Sequence, residues 1–319
     1  MIAAAPHAPS ATDAGLPRAT LGIVPLLFAN DDLPELTPPI TSESMLDEIA
    51  RLGFAGTQLS RVLPRGPALR AQLAQRGLRI AEVYATLPCT ADGPPEVALA
   101  QGREKIRELK DADGEILILS YHLSAGRAER AGRALGPDVP RLSQSGFEHA
   151  VRTLHQLASE ARRSGHRAVY HPHVGTFIET PDEVERLMSA TDPDLLGLCL
   201  DTGHYTLGGG DAVQAISQYR SRLRHVHLKD VSASAMSALR RDPNKTFLDA
   251  LRERIFTELG DGVLDVVGVA RALVEIDYEG WLMSEQDTSW WPPSESAAIA
   301  RRVWSLAVRE ATRASSGVR

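Results

Sequence analysis

The chain has 319 residues, of which 43% are hydrophobic and 24% charged, so it has the composition of a globular protein and can bury a full core. Its formal net charge of -6 argues against a nucleic-acid-binding protein, whose binding domain is normally basic, and leaves a small molecule as the expected partner. No apolar run approaches the roughly 18 residues that a membrane-spanning helix needs, so we predict no membrane segment.

The amino-terminal segment 1–19 is rich in Ala, Pro, Thr and Ser and lacks a charged stretch followed by an apolar one. We therefore predict a disordered tail rather than a signal peptide, followed by one catalytic domain over residues 20–313. The two cysteines, Cys89 and Cys199, are far apart and provide no disulfide framework, which fits a cytoplasmic protein.

Short apolar runs alternate with amphipathic segments along the chain. We predict eight strands, at 21–28, 57–60, 79–85, 115–121, 168–173, 196–201, 223–229 and 281–285. Between and after them we predict helices at 42–52, 67–76, 95–111, 143–164, 181–189, 212–219, 266–276 and 293–310. Strands that alternate with helices in this way form βαβ units and a parallel sheet.

In six of the eight predicted strands the apolar run ends in residues that can bind or react. These residues are Gln58, Tyr121 and His122, His171 and His173, Asp201 with His204, His227 with Lys229, and Glu285 with Asp287. A (β/α)8 barrel brings all strand carboxyl ends to one mouth, where active sites lie. An open doubly wound sheet, which periodicity alone does not exclude, would spread them along an edge. We therefore predict an α/β fold, a single-domain TIM barrel.

One segment departs from the alternation of strands and helices. Residues 231–265 form a long excursion after the seventh strand, with a helical stretch near 247–254. Loops this long in a compact domain are usually lids or binding loops, and we expect one of these here.

Three residues with metal-binding side chains occupy corresponding positions near the ends of three late strands. Asp201 and Glu285 each end an apolar run, and His227 lies on the same strand face as His225, two residues earlier. One imidazole and two carboxylates form a nitrogen and oxygen site suited to Mn²⁺, Co²⁺, Mg²⁺ or Zn²⁺. Each residue alone has a structural interpretation, such as Asp201 capping the following turn. Together they predict a divalent-metal site.

Further side chains near these strand ends are candidates for catalysis. His171 and His173 lie on one face of the fifth strand, and either could be the fourth metal ligand or a general acid or base. Glu179 is a third candidate for that base. Lys229 could stabilise an enolate or form a salt bridge with a carboxylate, and His204 could protonate a leaving hydroxyl group.

Two other polar or aromatic segments could bind substrate hydroxyl groups. Asn30 and Asp31 follow the first strand, although an Asx-rich turn is an equal interpretation. Trp290 follows the eighth strand and could form a side of the pocket that packs on the C–H face of a sugar. Trp290 and Trp291 are an aromatic pair, however, and such pairs more often pack within the protein.

Several motifs in series resemble one superfamily over about residues 20–310. The most specific are Asp201-Thr202-Gly203-His204, His225-Val226-His227-Leu228-Lys229-Asp230, Tyr170-His171-Pro172-His173-Val174-Gly175-Thr176 and Gly260-Asp261-Gly262. They resemble the xylose-isomerase-like barrels, a superfamily of sugar isomerases, epimerases and dehydratases, and within it most of all the inosose dehydratases.

The resemblance implies a metal held by Asp201, His227 and Glu285, with Mn²⁺ or Co²⁺ expected and Mg²⁺ or Zn²⁺ as alternatives. The fifth-strand ligand, usually a glutamate in the superfamily, corresponds to His171. The sequence also departs from the inosose dehydratase pattern in three places on the side of the barrel that should face the substrate. These are Gln58, where a glutamate is expected, Ser120-Tyr121-His122, where a Gln-Thr pair is expected, and Glu82-Val83-Tyr84, where an aromatic-rich segment is expected.

The resemblance therefore implies a metal-dependent lyase that dehydrates a keto-cyclitol or keto-sugar by abstraction of an α-proton and β-elimination of water. The alternative is a keto-sugar isomerase or epimerase on the same site, and a non-catalytic sugar-binding barrel is a third interpretation. The resemblance is compatible with a homo-oligomer. A DNA-repair endonuclease on the same barrel would need three zinc sites and a basic groove, which the acidic charge opposes.

Overall fold

In the computed structural model, eight segments with buried side chains on both faces form parallel strands, as expected where helices cover a sheet. The barrel strands are β1 (Ala19–Ile23), β2 (Gly56–Gln58), β3 (Arg79–Leu87), β4 (Ile116–Tyr121), β5 (Arg167–Tyr170), β6 (Leu196–Asp201), β7 (Leu223–Leu228) and β10 (Gly280–Ser284). A separate antiparallel pair consists of β8 (Asp230–Val231) and β9 (Phe256–Thr257).

The structure describes residues 15–30, 33–37, 39–136, 138–288 and 291–316. Two predicted substrate-binding residues, Asp31 and Trp290, lie outside the described residues, as does the 1–14 part of the predicted tail. Within the described ranges, no helix is long and apolar enough to cross a membrane.

The strand order is β1-β10-β7-β6-β5-β4-β3-β2, and β2 pairs in turn with β1, which closes the barrel. The predicted (β/α)8 barrel is therefore confirmed, and the open sheet is excluded. Because all eight strands are parallel, their carboxyl ends lie around one mouth.

The barrel is surrounded by helices, most of which begin at the capping signals visible in the sequence. The helices are α1 (Ser42–Arg51), α2 (Pro67–Arg76), α3 (Val97–Asp111), α4 (Ala125–Ala128), α5 (Gln144–Arg163), α6 (Pro181–Ala190), α7 (Thr202–Leu207), α8 (Ala212–Gln218), α9 (Ala233–Arg241), α10 (Phe247–Arg252), α11 (Val266–Glu275) and α12 (Pro293–Ser316). Thr41 accepts a hydrogen bond from the Ser44 N–H at the start of α1. Thr180 and Glu183 form a reciprocal capping box at the start of α6.

Most strand boundaries differ from the prediction by one or two residues, and two strands and the tail differ by more. β1 begins at Ala19 and ends at Ile23, because Pro25 starts a 3-10 turn (Pro25–Leu27) where the prediction continued the strand. Leu16, within the predicted tail, is 3% exposed and packs in the core. β5 ends at Tyr170 rather than at residue 173, since Pro172 has no N–H for the sheet.

The excursion after β7 forms a packed cap rather than an irregular loop. β8, α9, α10 and β9 enclose a small apolar core that includes Leu239, Phe247, Leu251, Ile255 and Phe256. The predicted helical stretch corresponds to α10, whereas α9 was not predicted. Phe247 also lines the cavity at the barrel mouth, so the cap forms one of its walls.

One buried carboxylate joins β8 to the turn at residues 260–264. Asp230 is 1% exposed and accepts hydrogen bonds from the N–H groups of Val231, Gly260, Gly262 and Leu264, at 2.8–3.1 Å. The three bonds from Gly260, Gly262 and Leu264 hold this turn against β8.

We expect Asp230→Asn to destabilise the protein, because a carboxamide has only one acceptor oxygen and its NH₂ group would face backbone donors. The cost is about 1–3 kcal/mol for each backbone N–H left without an acceptor. Urea unfolding checks this. Asp265→Asn is the control, since Asp265 is an exposed helix cap whose one bond to a described residue is with the Gly268 N–H, and Asn caps equally well. Equal losses in the two variants would contradict the prediction.

Candidate metal centre and active-site pocket

The carboxyl ends of the barrel strands surround a cavity of about 350 Å³. Its lining includes Gln58, Tyr84, His171, His173, Glu285 and Asp287. Charged and polar side chains therefore meet at the mouth of the barrel, where TIM-barrel active sites lie.

Four of the predicted metal ligands come together beneath this cavity. Asp201 ends β6, and His227 is its partner in the register of the neighbouring β7. Glu285 directly follows β10, and His171 directly follows β5. One ligand atom from each of the four lies within 4.8 Å of every other. All four residues are buried, so the group forms a compact set of two nitrogens and two oxygens.

The four atoms that face one another are His171 Nε2, Asp201 Oδ2, His227 Nδ1 and Glu285 Oε2. They are buried, and none makes a hydrogen bond with a residue that the structure describes. Lys229 Nζ lies 3.3 Å from Asp201 Oδ2, and His227 Nδ1 lies 2.5 Å from Glu285 Oε2. These charge contacts offset part of the cost, which is about 1–3 kcal/mol for each buried polar atom without a hydrogen bond. A divalent cation would satisfy all four at once, and imidazole with carboxylate is a donor set that such ions accept. The residues present therefore fit a metal ion.

Lys229 is 1% exposed and lies among three carboxylates. Its Nζ is 3.3 Å from Asp201 Oδ2, 3.2 Å from Glu285 Oε1 and 2.6 Å from Asp287 Oδ1. Burial alone would lower the pKa of Lys229, but the carboxylates outweigh it and hold this pKa well above the usual value. Burial would likewise raise the pKa of Asp201, but Lys229 and His204 hold it well below. The site therefore contains a charged ammonium group beside an ionised Asp201.

His173 lines the cavity and stacks on His204, with ring centroids 3.7 Å apart. Its Nδ1 lies 2.7 Å from the Val174 carbonyl oxygen, so Nδ1–H donates there and Nε2 is the nitrogen that can accept a proton. Burial lowers the pKa of His173 to about 3, which keeps the ring neutral. His204 lies behind His173, and its Nε2 is 3.1 Å from Lys229 Nζ.

Two residues predicted for chemistry instead support loops. Glu179 is 1% exposed and accepts hydrogen bonds from the N–H groups of Gly132 and Gly175, both at 2.8 Å, with Arg127 nearby. The structure does not bring its carboxylate to the cavity, because both oxygens are already used. Asn30 accepts a hydrogen bond from the Leu33 N–H and donates one to the Asp287 carbonyl, which fixes the loop after β1.

The other two predicted substrate-binding residues lie in different environments. Gln58 ends β2 and lines the cavity. His122 follows β4 but is exposed, whereas its neighbours Tyr121 and Leu123 line the cavity. Only Gln58 of this pair is therefore placed to contact a substrate.

Two side chains on β3 contact the predicted ligands, although the sequence marked their segment only as a departure from the family pattern and predicted no role for either. Tyr84 Oη is 3.2 Å from His171 Nδ1, and Glu82 Oε2 is 3.1 Å from His227 Nε2. Glu82 is fully buried and also bonds His225 Nε2. The available signal was an acid within a strand that is otherwise apolar between Ile80 and Ala85.

Comparison with known proteins agrees with this fold. The family model for xylose isomerase-like TIM barrels matches residues 46–305. An inosose dehydratase from Geobacillus kaustophilus is 34% identical over 289 residues, which cover 88% of this chain and 92% of that protein.

Solved structures with the same fold include a probable 3-DHS dehydratase, AsbF, from Bacillus anthracis. It has a TM-score of 0.66 and 15% identity, and the match covers 89% of this chain and 97% of that one. The IOLI protein, solved with a zinc atom, has a TM-score of 0.65 and 12% identity, with 91% of this chain and 98% of that one covered.

The protein belongs to the xylose isomerase-like TIM barrel family. Its relatives named inosose dehydratase show that it is an enzyme and that its substrate is a small molecule.

We expect Lys229→Met to lower the free energy of unfolding of the metal-free protein by about 3–5 kcal/mol, since it leaves three buried carboxylates without their cation. Denaturant unfolding in EDTA measures this. Lys245→Met is the control, because Lys245 pairs with the half-exposed Glu253, and loss of such a pair costs less than about 1 kcal/mol. A loss below 1 kcal/mol in Lys229→Met would show that the carboxylates do not depend on Lys229.

Proposed function

We propose that the protein is a divalent-metal-dependent lyase that dehydrates a keto-cyclitol or keto-sugar, as an inosose dehydratase does. One observation carries the proposal. Four side chains bring one buried atom each to the same place, and none of these atoms makes a hydrogen bond with a described residue. The four residues are His171, Asp201, His227 and Glu285. The 34% identical relative named inosose dehydratase supports a polyhydroxy ketone as the substrate class. A cavity of about 350 Å³ is large enough for one such ring.

In this proposal the four residues hold Mn²⁺ or Co²⁺, with Mg²⁺ or Zn²⁺ as alternatives. Two imidazole nitrogens favour these transition metals, since Mg²⁺ prefers an all-oxygen octahedron. The bound ion supplies Lewis-acid polarisation of a ketone oxygen, which acidifies the neighbouring C–H bond.

His173 is the base that accepts this α-proton, because it lines the cavity and its Nε2 is the acceptor nitrogen. Lys229 is the buried cation next to the metal ligands, where it stabilises the negative charge of the enediolate. His173 then returns the proton to the β-hydroxyl group, so that the C–O bond breaks, a C=C bond forms and water leaves. The resulting enol tautomerises to the dione, with a proton moving from its hydroxyl group to carbon.

The second proton transfer, which the sequence suggested for His204, is better assigned to His173. His204 lies behind His173 and contacts Lys229, where its ring supports both residues from the protein side. Gln58 and Asp287 line the cavity and are the groups that we assign to binding substrate hydroxyls.

Isomerisation or epimerisation is the second candidate, because it shares the first proton transfer. If His173 returns the proton to carbon rather than to a hydroxyl, the same site changes stereochemistry without loss of water. Gln58 lines the cavity at a position where inosose dehydratases are expected to have a glutamate. This difference supports the second candidate. A structural neighbour named L-ribulose 3-epimerase has the same fold, with a TM-score of 0.68.

We expect inosose to be converted to a dione in the presence of Mn²⁺ or Co²⁺ and not in EDTA, because α-proton loss needs the polarised ketone. NMR of reactions in D₂O, with inosose and several 3-keto sugars, separates the candidates. Deuterium incorporation into the substrate without loss of water would favour the epimerase. If no substrate showed turnover or deuterium exchange with any of the four ions, both the dehydratase and the epimerase would be contradicted.

We expect Asp201→Asn and His227→Gln to lose at least about 100-fold in affinity for Mn²⁺, since each removes one of four ligands. Isothermal titration calorimetry measures the affinity. The wild-type protein should also gain about 2.7 kcal/mol of stability at 100 times the dissociation constant, a gain that the variants should lack at the same concentration. Asp211→Asn is the control, because Asp211 is an exposed helix cap remote from the cavity lining. Wild-type affinity in Asp201→Asn would contradict the ligand assignment.

A further inference from the structure

Each of the two imidazoles of the proposed metal site has a second ring nitrogen, which does not face the ion. Each of these second nitrogens contacts a side chain on β3. Glu82 contacts His227, and Tyr84 contacts His171. Glu82 and Tyr84 are two residues apart and so lie on one face of the strand. We propose that they are positioning residues, which fix the tautomers and ring orientations of the two histidines and thereby set the affinity for the ion. The inference rests on the metal site of the proposed function.

Glu82 determines which nitrogen of His227 is available. Its Oε2 lies 3.1 Å from His227 Nε2 and also bonds His225 Nε2. An ionised carboxylate can only accept hydrogen bonds, so His227 donates through Nε2–H. The lone pair of His227 is then on Nδ1, which lies 2.5 Å from Glu285 Oε2. Two acceptors this close repel unless a proton or a metal cation lies between them, so Glu82 directs toward Glu285 the nitrogen that can take either one.

Tyr84 has the matching role for His171. The two rings pack edge to face, with centroids 5.3 Å apart and an interplanar angle of 72°. When Nδ1–H of His171 donates to the Tyr84 hydroxyl oxygen, the lone pair is on Nε2, which lies 3.6 Å from Asp201 Oδ2. Both lone pairs are thus directed toward the same group of four atoms.

The placement of both residues on β3 makes this arrangement rigid. β3 is a nine-residue strand that pairs with β2 on one side and β4 on the other. Glu82 and Tyr84 therefore move together, and one strand orients ligands that follow β5 and lie on β7. Sites built on strands hold such geometry more closely than sites on loops.

The two contacts should differ in strength. Hydrogen bonds to a charged group are roughly twice as strong as those between neutral groups, so the Glu82 carboxylate should matter more than the Tyr84 hydroxyl. Outer partners of metal-bound histidines are typically worth about 10–100-fold in metal affinity. We therefore expect losses of about 100-fold for Glu82→Gln and about 10-fold for Tyr84→Phe.

Calorimetric titration of the metal-free full chain with Mn²⁺ and with Zn²⁺ tests these values. Tyr170→Phe is the matched control, because Tyr170 adjoins His171, is fully buried, and has a hydroxyl that bonds no residue in the described chain. Its affinity should equal that of the wild type. Nitrogen-15 NMR of the Zn²⁺-loaded wild type should show protons on His171 Nδ1 and His227 Nε2. Thermal unfolding shows whether each variant is folded.

A double-mutant cycle separates positioning from a general structural effect. In a His171→Glu background the ligand is a carboxylate, which has no second ring nitrogen to orient, so adding Tyr84→Phe should leave metal affinity unchanged. An equal loss from Tyr84→Phe in both backgrounds would overturn the inference for Tyr84, and wild-type affinity in Glu82→Gln would overturn it for Glu82. A wild-type protein that binds neither ion would instead overturn the proposed function.

Discussion

The negative charge buried at the barrel mouth is the constraint on which the site depends. Asp201, Glu285 and Asp287 lie within 3.3 Å of the buried ammonium group of Lys229. Glu82 is buried nearby and bonds His225 and His227. Burial of a carboxylate without a partner costs several kcal/mol, and Lys229 balances only part of this charge. In the proposed function, the histidines and a divalent ion provide the rest. The apolar cap, which forms one wall of the cavity, strengthens these interactions because it keeps the local dielectric low.

The position of each residue along its strand determined whether its place in the site could be predicted from the sequence. The barrel was predictable because eight apolar runs alternate with helices, and Asp201, His227 and Glu285 were predictable because they end such runs. Glu82 and Tyr84 were not, since they lie within a strand and act across the barrel. A one-dimensional pattern shows which residues end a strand, but not which strands face each other across a closed barrel.

Asn30 and Glu179 show a second limit of prediction. Loops around a barrel mouth bury backbone N–H groups that need acceptors, and short polar side chains supply them. These residue types are also those that bind substrates and transfer protons. Glu179 bonds the N–H groups of Gly132 and Gly175, as Asp230 does for the cap, so the structure uses both carboxylates for support. Only the positions of backbone donors, which sequence does not show, distinguish the two uses.

The histidine at position 171 has a consequence for the charge of the site. With a glutamate there, as the resemblance leads one to expect, three carboxylates would surround a divalent ion and leave it with a net negative environment. With His171, the charges of Asp201 and Glu285 equal that of the ion, and Lys229 is left to pair with Asp287 at 2.6 Å. A neutral ligand withdraws less of the ion's Lewis acidity than an anionic one does, so the substrate ketone should be polarised more strongly. A neutral imidazole, however, needs its ring held in one orientation, and the hydroxyl of Tyr84 meets that need.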